Sequence, residues 1–237
     1  MLKLSNDIRA HLKTTFKQTP TSSIHASNLG RCIRYQVWDL VGKVQHCPKD
    51  ILRRARAFEF GSAIHERFQS WLKVVYPTAI FEHRITNELG IVGKLDAIIN
   101  DEILEIKTAS SRSYQEISNN PTGNHYFKKQ LHTYSWMMDL PGCNLIVINL
   151  DSKTWKEFWI PIDWECIGDV IEEATVIRKY LELEHETDYD KTPPIDEKCT
   201  ISNSNWCPYQ TTCYSEPTDD LNNDGDLRSL YFVNPWD

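Results

Sequence analysis

Ile91-Val92-Gly93-Lys94-Leu95-Asp96-Ala97-Ile98-Ile99, followed after Asn100-Asp101 by Glu102-Ile103-Leu104-Glu105-Ile106-Lys107-Thr108-Ala109, decides the fold of this chain. Both runs are rich in β-branched residues and leucine, and the polar Asn100-Asp101 pair between them suits a tight hairpin turn. Strands are therefore expected over Ile91–Asn100 and Glu102–Ala109. Asp96, Glu105 and Lys107 are charges set inside them. With period-two alternation Glu105 and Lys107 project from one face, while Leu104 and Ile106 pack on the other. A carboxylate held in such a strand needs a cation, and Asp96 and Glu105 on paired strands need still more positive charge. A divalent ion with hard oxygen ligands meets that need. Lys107 beside it is suited to stabilising phosphoryl charge or positioning a water. The same residues also fit a purely structural arrangement, with Asp96 and Lys107 as a cross-strand ion pair and Glu105 at a solvated edge.

Outward from this hairpin the pattern alternates. Ala79–Leu89 reads as a further strand, and Phe60, Ile64, Phe68, Trp71 and Val75 recur at helical spacing, so 57–76 reads as a long helix closed by Pro77. Residues 43–56 are basic, with Lys43, Lys49, Arg53, Arg54 and Arg56. A helix is expected from about Ser27 to Gly42, and a short amphipathic one over 4–18. Downstream, Ser110–Asn120 and Asn124–Leu140 read as helices and Leu145–Asp151 and Trp155–Ile162 as a strand pair. Trp164–Glu184 carries the apolar stripe Ile167, Val170, Ile171, Ala174, Ile177 and Leu181, and reads as a helix. The expected fold is α/β: a mixed central β-sheet flanked by helices, with an N-terminal helical part (1–56), a core (57–184) and a cysteine-bearing tail (185–237), all in one domain.

Composition narrows the function. The 237 residues carry 26 Lys and Arg against 33 Asp and Glu, a formal charge of −7. The acidity is local: residues 1–180 hold 23 basic and 20 acidic residues, and 181–237 hold 3 and 13. The part ahead of the tail is thus mildly basic, and the overall charge does not exclude a nucleic-acid substrate. No G-x-x-x-x-G-K-[ST] occurs, which argues against a P-loop NTPase. With neither a signal-like apolar core at the N-terminus nor an apolar run of membrane-spanning length, the expectation is a cytoplasmic, reducing setting and no membrane. Seven cysteines in such a setting point to metal or catalysis before disulfides.

Read in chain order, the sequence gives Gly61-x-x-x-His65, Gly93-x-x-Asp96, Glu105-x-Lys107 and Gln130-x-x-x-Tyr134, on helix, strand, strand and helix. This order resembles the RecB-like branch of the PD-(D/E)XK nuclease superfamily over residues 60–135. The resemblance implies that His65, Asp96 and Glu105, with the backbone carbonyl of Ile106, ligate Mg²⁺ or Mn²⁺. It implies Lys107 as the catalytic lysine beside Asp96 and Glu105, and Gln130 and Tyr134 as residues that orient DNA. Phosphate contacts without base reading are expected from the basic stretch, Arg53 and Arg54 included, and from Lys128 and Lys129. Tyr126 and Phe127 are suited to stacking on single-stranded bases or to core packing.

Cys199, Cys207 and Cys213 cluster in the tail, and a four-thiolate site needs one more ligand. Cys32, Cys47, Cys143 and Cys166 are available. One cysteine far upstream and three near the C-terminus resembles the iron–sulfur subgroup of this nuclease family, which includes CRISPR-adaptation, AddB-like and phage exonucleases. That resemblance implies a [4Fe–4S] cluster on Cys32, Cys199, Cys207 and Cys213, stapling the two ends together; Zn²⁺ on the same thiolates is the alternative. Cys47, Cys143 and Cys166 are then ordinary thiols. The function implied is a metal-dependent DNA nuclease, an exonuclease before an endonuclease, acting on a single-stranded end or strand. A helicase, recombination or CRISPR-adaptation partner would supply unwinding. The alternatives are a catalytically inert cluster-stabilised module that binds DNA or a partner, and a small electron carrier.

Overall fold

The hairpin forms where the sequence puts it. Asn100 and Asp101 both take positive φ, 51° and 66°, the conformation a two-residue turn of matching twist requires. The turn joins β3 (Ile91–Ile99) to β4 (Glu102–Ala109). The structure is a computed structural model that describes residues 8, 10, 11, 23–43, 51–123, 127–184, 193, 207, 209 and 213, with the backbone alone at 51–54, 183 and 184. Of the helix expected over 4–18, Ile8, Ala10 and His11 are helical and the rest lies outside the described residues. Cys47, Tyr126 and Cys199, and the side chains of Arg53 and Arg54, also lie outside them.

Among the described residues six strands make one mixed sheet. β1 (Ile24–His25) runs parallel to β3, and β2 (Ile80–Thr86) pairs antiparallel with β3. The order then continues through β4, β5 (Gly142–Asn149) and β6 (Trp155–Pro161). β4 and β5 are parallel and β5 and β6 antiparallel. Parallel neighbours need a crossover, and α3 (Ser111–Asn119) and α4 (Lys128–Met137) supply it.

Alternation along the strands creates two cores. On one face Leu95, Ile103, Leu145, Val147 and Ile160 meet Leu131 and Tyr134 of α4 and Val170, Ala174 and Ile177 of α5 (Trp164–Glu184). On the other, Ala97, Leu104, Ile106, Ile146 and Ile148 pack under Phe68 of α2 (Ile51–Val75). Ile106 and Glu105 therefore face opposite sides, as the alternation predicts.

Two helix starts differ from expectation by six residues each. The long helix begins at Ile51, six residues before 57, so the basic run 51–56 is helical. The first long helix, α1, spans Ile33–Leu40, not Ser27 onward. Ala26–Asn28 form a single 3-10 turn, and Gly30, at φ 87°, reverses the chain before α1 starts. That left-handed conformation is open to glycine at little cost. Cys32 consequently sits at the helix N-cap instead of within its early turns.

Candidate active site

β3 and β4 bring the two acidic residues side by side, Asp96 next to Ala97 and Glu105 next to its partner Leu104. Asp96 is 7% exposed and Glu105 2%. Asp96 Oδ2 accepts the Ile106 N–H at 2.7 Å. Burial and the neighbouring Glu105 carboxylate push the Asp96 carboxyl up to about 8, so a proton or a cation is needed to hold the pair together. Glu105 Oε1 lies 2.7 Å from Lys107 Nζ. Glu105 Oε2 is buried with no hydrogen-bond partner among the described residues. An ionised oxygen left this way costs free energy unless a ligand meets it.

α2 lays His65 across β4. His65 Nε2 is 2.6 Å from the Ile106 carbonyl oxygen and 3.5 Å from Asp96 Oδ2. Both strands and the helix thus contribute to one small volume. As it stands it is not a finished metal cage: among the described residues no set of three or more His, Cys, Asp or Glu side chains is arranged to hold an ion. The reason is visible in the contacts. His65 Nε2 and the Ile106 oxygen, both expected ligands, bond to each other, and Glu105 Oε1 is occupied by Lys107 and Gln130. The donor types still fit: two carboxylates, a backbone carbonyl and an imidazole suit a hard divalent ion, and Glu105 Oε2 is an open acceptor.

α4 completes the site from the other face. Gln130 Oε1 accepts from Lys107 Nζ at 2.9 Å, while Gln130 Nε2 donates to Glu105 Oε1 and to the Tyr134 hydroxyl, each at 2.9 Å. The Tyr134 hydroxyl in turn donates to the Lys94 carbonyl at 3.1 Å. The four-residue spacing of Gln130 and Tyr134 puts them on one helix face. A Cβ on Gly93 would sit 2.6 Å from the Tyr134 ring, which gives the glycine of Gly93-x-x-Asp96 its reason: the ring occupies its side-chain space.

Two of the expected phosphate contacts, Lys128 and Lys129, each carry an ion pair. Lys128 Nζ pairs with Asp163 at 3.0 Å and Lys129 Nζ with Glu173 at 2.6 Å, so both ammonium groups are satisfied within the protein. Phe127 is 1% exposed and belongs to the main core, which rules out stacking on a base in this arrangement.

Two neighbours were not legible from motifs. Gln69, buried one turn beyond His65, donates to Glu82 Oε1 at 2.8 Å and to the Asp96 carbonyl at 3.3 Å, tying α2 to β2 and β3. Its only sequence trace is a polar residue four positions after His65. Glu82, at φ 56°, lies opposite Asp96 where the β2–β3 ladder is interrupted, and it ion-pairs with Lys94.

The cysteines gather elsewhere. Tyr35, Trp38, Tyr209 and Cys213 form a third buried cluster, with Cys32 and Cys207 packed against it. Arg34, 4% exposed, donates to Cys213 Sγ at 3.5 Å and to the Pro193 carbonyl at 2.5 Å. Three of the four expected thiols therefore converge from opposite ends of the chain, and Cys199 lies outside the described residues. Cys143 and Cys166 are buried in the body of the fold.

No family model matches the chain, and no curated protein matches it. Solved structures do. The chain superposes on an alkaline exonuclease from Laribacter hongkongensis with a TM-score of 0.55 at 13% identity, over 75% of this chain and 95% of that one. The same exonuclease in complex with dAMP gives 0.53 at 15%, over 70% and 91%. The protein SSO0001 gives 0.50 at 19%, over 92% of this chain and 99% of that one. At these identities the likeness is one of fold: the mixed sheet with its flanking helices is an architecture this chain shares with an exonuclease.

Proposed function

We propose that this protein is a divalent-metal-dependent deoxyribonuclease with His65, Asp96, Glu105 and the Ile106 carbonyl as metal ligands and Lys107 as its catalytic lysine. The observation that carries this is the buried, unpartnered Glu105 Oε2 beside a carboxyl whose proton affinity is strongly raised. Packing alone gives no reason to bury two adjacent carboxylates; a cation does. When bound, a divalent ion supplies Lewis-acid polarisation of the phosphodiester and a more acidic water.

The chain's own groups do the rest. Asp96 is oriented by the Ile106 N–H, and Glu105 by Lys107 and Gln130. The Lys107 ammonium is held between Glu105 Oε1 and Gln130 Oε1, where its positive charge can stabilise phosphoryl charge as it develops. Gln130 is itself fixed by Tyr134, so the lysine is positioned before substrate arrives. Exonuclease action is the finer assignment, supported by the fold likeness to an alkaline exonuclease. DNA is the corresponding substrate class, with Arg53 and Arg54 as phosphate contacts.

We assign Cys32, Cys199, Cys207 and Cys213 to a [4Fe–4S] cluster that ties the tail 185–237 to the body of the fold. The gathering of Cys32, Cys207 and Cys213 around Tyr209 and Trp38 supports that assignment. A polar tail with little apolar surface needs such a tie to the core.

The test is cleavage of end-labelled single- and double-stranded DNA with Mg²⁺ or Mn²⁺. Wild type should release nucleotides from an end, and Lys107→Ala should lose at least about a hundredfold in rate. Absence of metal-dependent cleavage on every substrate sinks the enzymatic assignment.

A further inference from the structure

Glu173 is a buried carboxylate that the proposed chemistry does not use. It lies on α5, 8% exposed. Its Oε1 accepts the Gly30 N–H at 2.8 Å and the Gln36 side-chain amide at 2.7 Å, and its Oε2 pairs with Lys129 Nζ at 2.6 Å. Gln36 also donates to the Arg31 carbonyl at 3.1 Å. One carboxylate thus joins α5, α1, the turn that leads into Cys32, and α4.

The two arms end at significant places. Lys129 directly precedes Gln130, whose amide holds Lys107 and Glu105. Thr133, one turn on, bonds back to the Lys129 carbonyl at 2.6 Å, so this turn of α4 moves as a unit. Gly30 stands two residues before Cys32, at the edge of the thiol-bearing cluster.

We propose that Glu173 is a positioning residue: it sets the rotation of α4 that places Gln130 on Lys107, and it makes that placement depend on the Cys32 turn. The inference rests on the site's being the nuclease centre proposed above. Removing the charge of Glu173 leaves Lys129, whose side chain is 21% exposed, without its counter-ion. The lysine then turns toward solvent and takes the α4 backbone with it, while the Gly30 N–H keeps a neutral acceptor. A polar side chain with unshifted packing is otherwise disturbed very little, so a conservative substitution isolates the charge.

The test compares wild type with Glu173→Gln, using steady-state cleavage and Mn²⁺ titration calorimetry on the metal-free nuclease centre. Positioning predicts a kcat loss of about tenfold or more with KM within twofold, a several-fold weaker Mn²⁺ affinity, and faster hydrogen exchange at the Gly30 amide, whose acceptor has become neutral. If Glu173→Gln does not fold, Lys129→Met carries the same comparison, since it cuts α4 from Glu173 while leaving the Gly30 and Gln36 bonds. Lys129 as a phosphate contact predicts the opposite split, a raised and more salt-dependent KM with unchanged kcat, and that result overturns the proposal. So does a folded Glu173→Gln with kcat, Mn²⁺ affinity and Gly30 exchange rate all within twofold of wild type. The nuclease assignment fails separately: a wild type that binds Mn²⁺ but cuts nothing refutes it, while the Mn²⁺ and Gly30 exchange measurements still decide the role of Glu173.

Discussion

The Lys107 ammonium stands 2.7 Å from Glu105 Oε1, and the other oxygen of the same carboxylate is buried with no partner among the described residues. One side of Glu105 is therefore neutralised from within the chain and the other side is left for something else. Asp96, on the adjacent strand, responds to the same crowding by holding its proton far above the carboxylate range. The two facts have one cause: more negative charge is buried here than the protein's own cations balance.

Stability without metal should fall as pH rises. The Asp96 pKa is raised from 3.8 in the unfolded reference to about 8 in the fold, so between those values the native state binds more protons than the unfolded state. Stability then decreases with pH across that window, and the favourable contribution is fully present only below about 4. Asp96→Asn mimics the protonated form, and its amide oxygen can still accept the Ile106 N–H. Thermal melts of the metal-free protein should show wild type losing Tm relative to Asp96→Asn from pH 5 to pH 9. A constant gap would mean that Asp96 ionises normally.

Metal binding should release a proton below pH 8. An ion that takes the Asp96 oxygen must displace the proton held there, so affinity rises with pH up to about 8 and then levels. Calorimetry of Mn²⁺ binding in buffers of different ionisation enthalpy measures this directly. About one proton per ion is expected at pH 6 and nearly none at pH 9.

Most of the sheet was legible in the sequence because alternation and turn chemistry act locally: Asn100-Asp101 and the Ile/Val/Leu runs needed no tertiary information. Trp164–Glu184 was legible for the same reason, since its apolar stripe from Ile167 to Leu181 repeats over about four turns. Helix starts were harder. The start of α2 at Ile51 was hidden because Arg53, Arg54 and Arg56 made 43–56 read only as a basic stretch, and Gly30 was hidden inside a run that otherwise suits a helix. Of the site, the acids and Lys107 stood out as charges in apolar strands. Glu82 and Gln69 did not, because a strand glutamate and a helical glutamine look like surface residues until the fold brings them to Asp96. Lys128 and Lys129 show the converse: adjacent lysines suggest a phosphate site, yet Asp163 and Glu173, far along the chain, take both.

The thiol cluster should be coloured and dependent on both ends of the chain. Anaerobic purification should give a brown protein whose visible absorbance and bound iron vanish in Cys213→Ser and in Cys32→Ser alike. Arg34 donates to Cys213 Sγ, and Arg34→Leu should retain the iron but lose it more readily to chelators. A colourless protein containing zinc would assign the thiolates to that ion instead.

Gly93 and Tyr134 should be coupled. The Tyr134 ring occupies the space a Cβ at position 93 would need, at 2.6 Å, and the strand backbone leaves it little room to retreat. Gly93→Ala should therefore destabilise by about 1–3 kcal/mol through overpacking. It should also displace the tyrosine from Gln130 and so lower kcat beyond what the loss of folded protein explains. Tyr134→Leu removes the ring atoms that collide, so Gly93→Ala should cost less stability in that background than in wild type. Denaturant melts of the four proteins give the interaction term. Simple additivity of the two substitutions would show that the ring does not set the glycine, and that the Gly93-x-x-Asp96 spacing serves the strand alone.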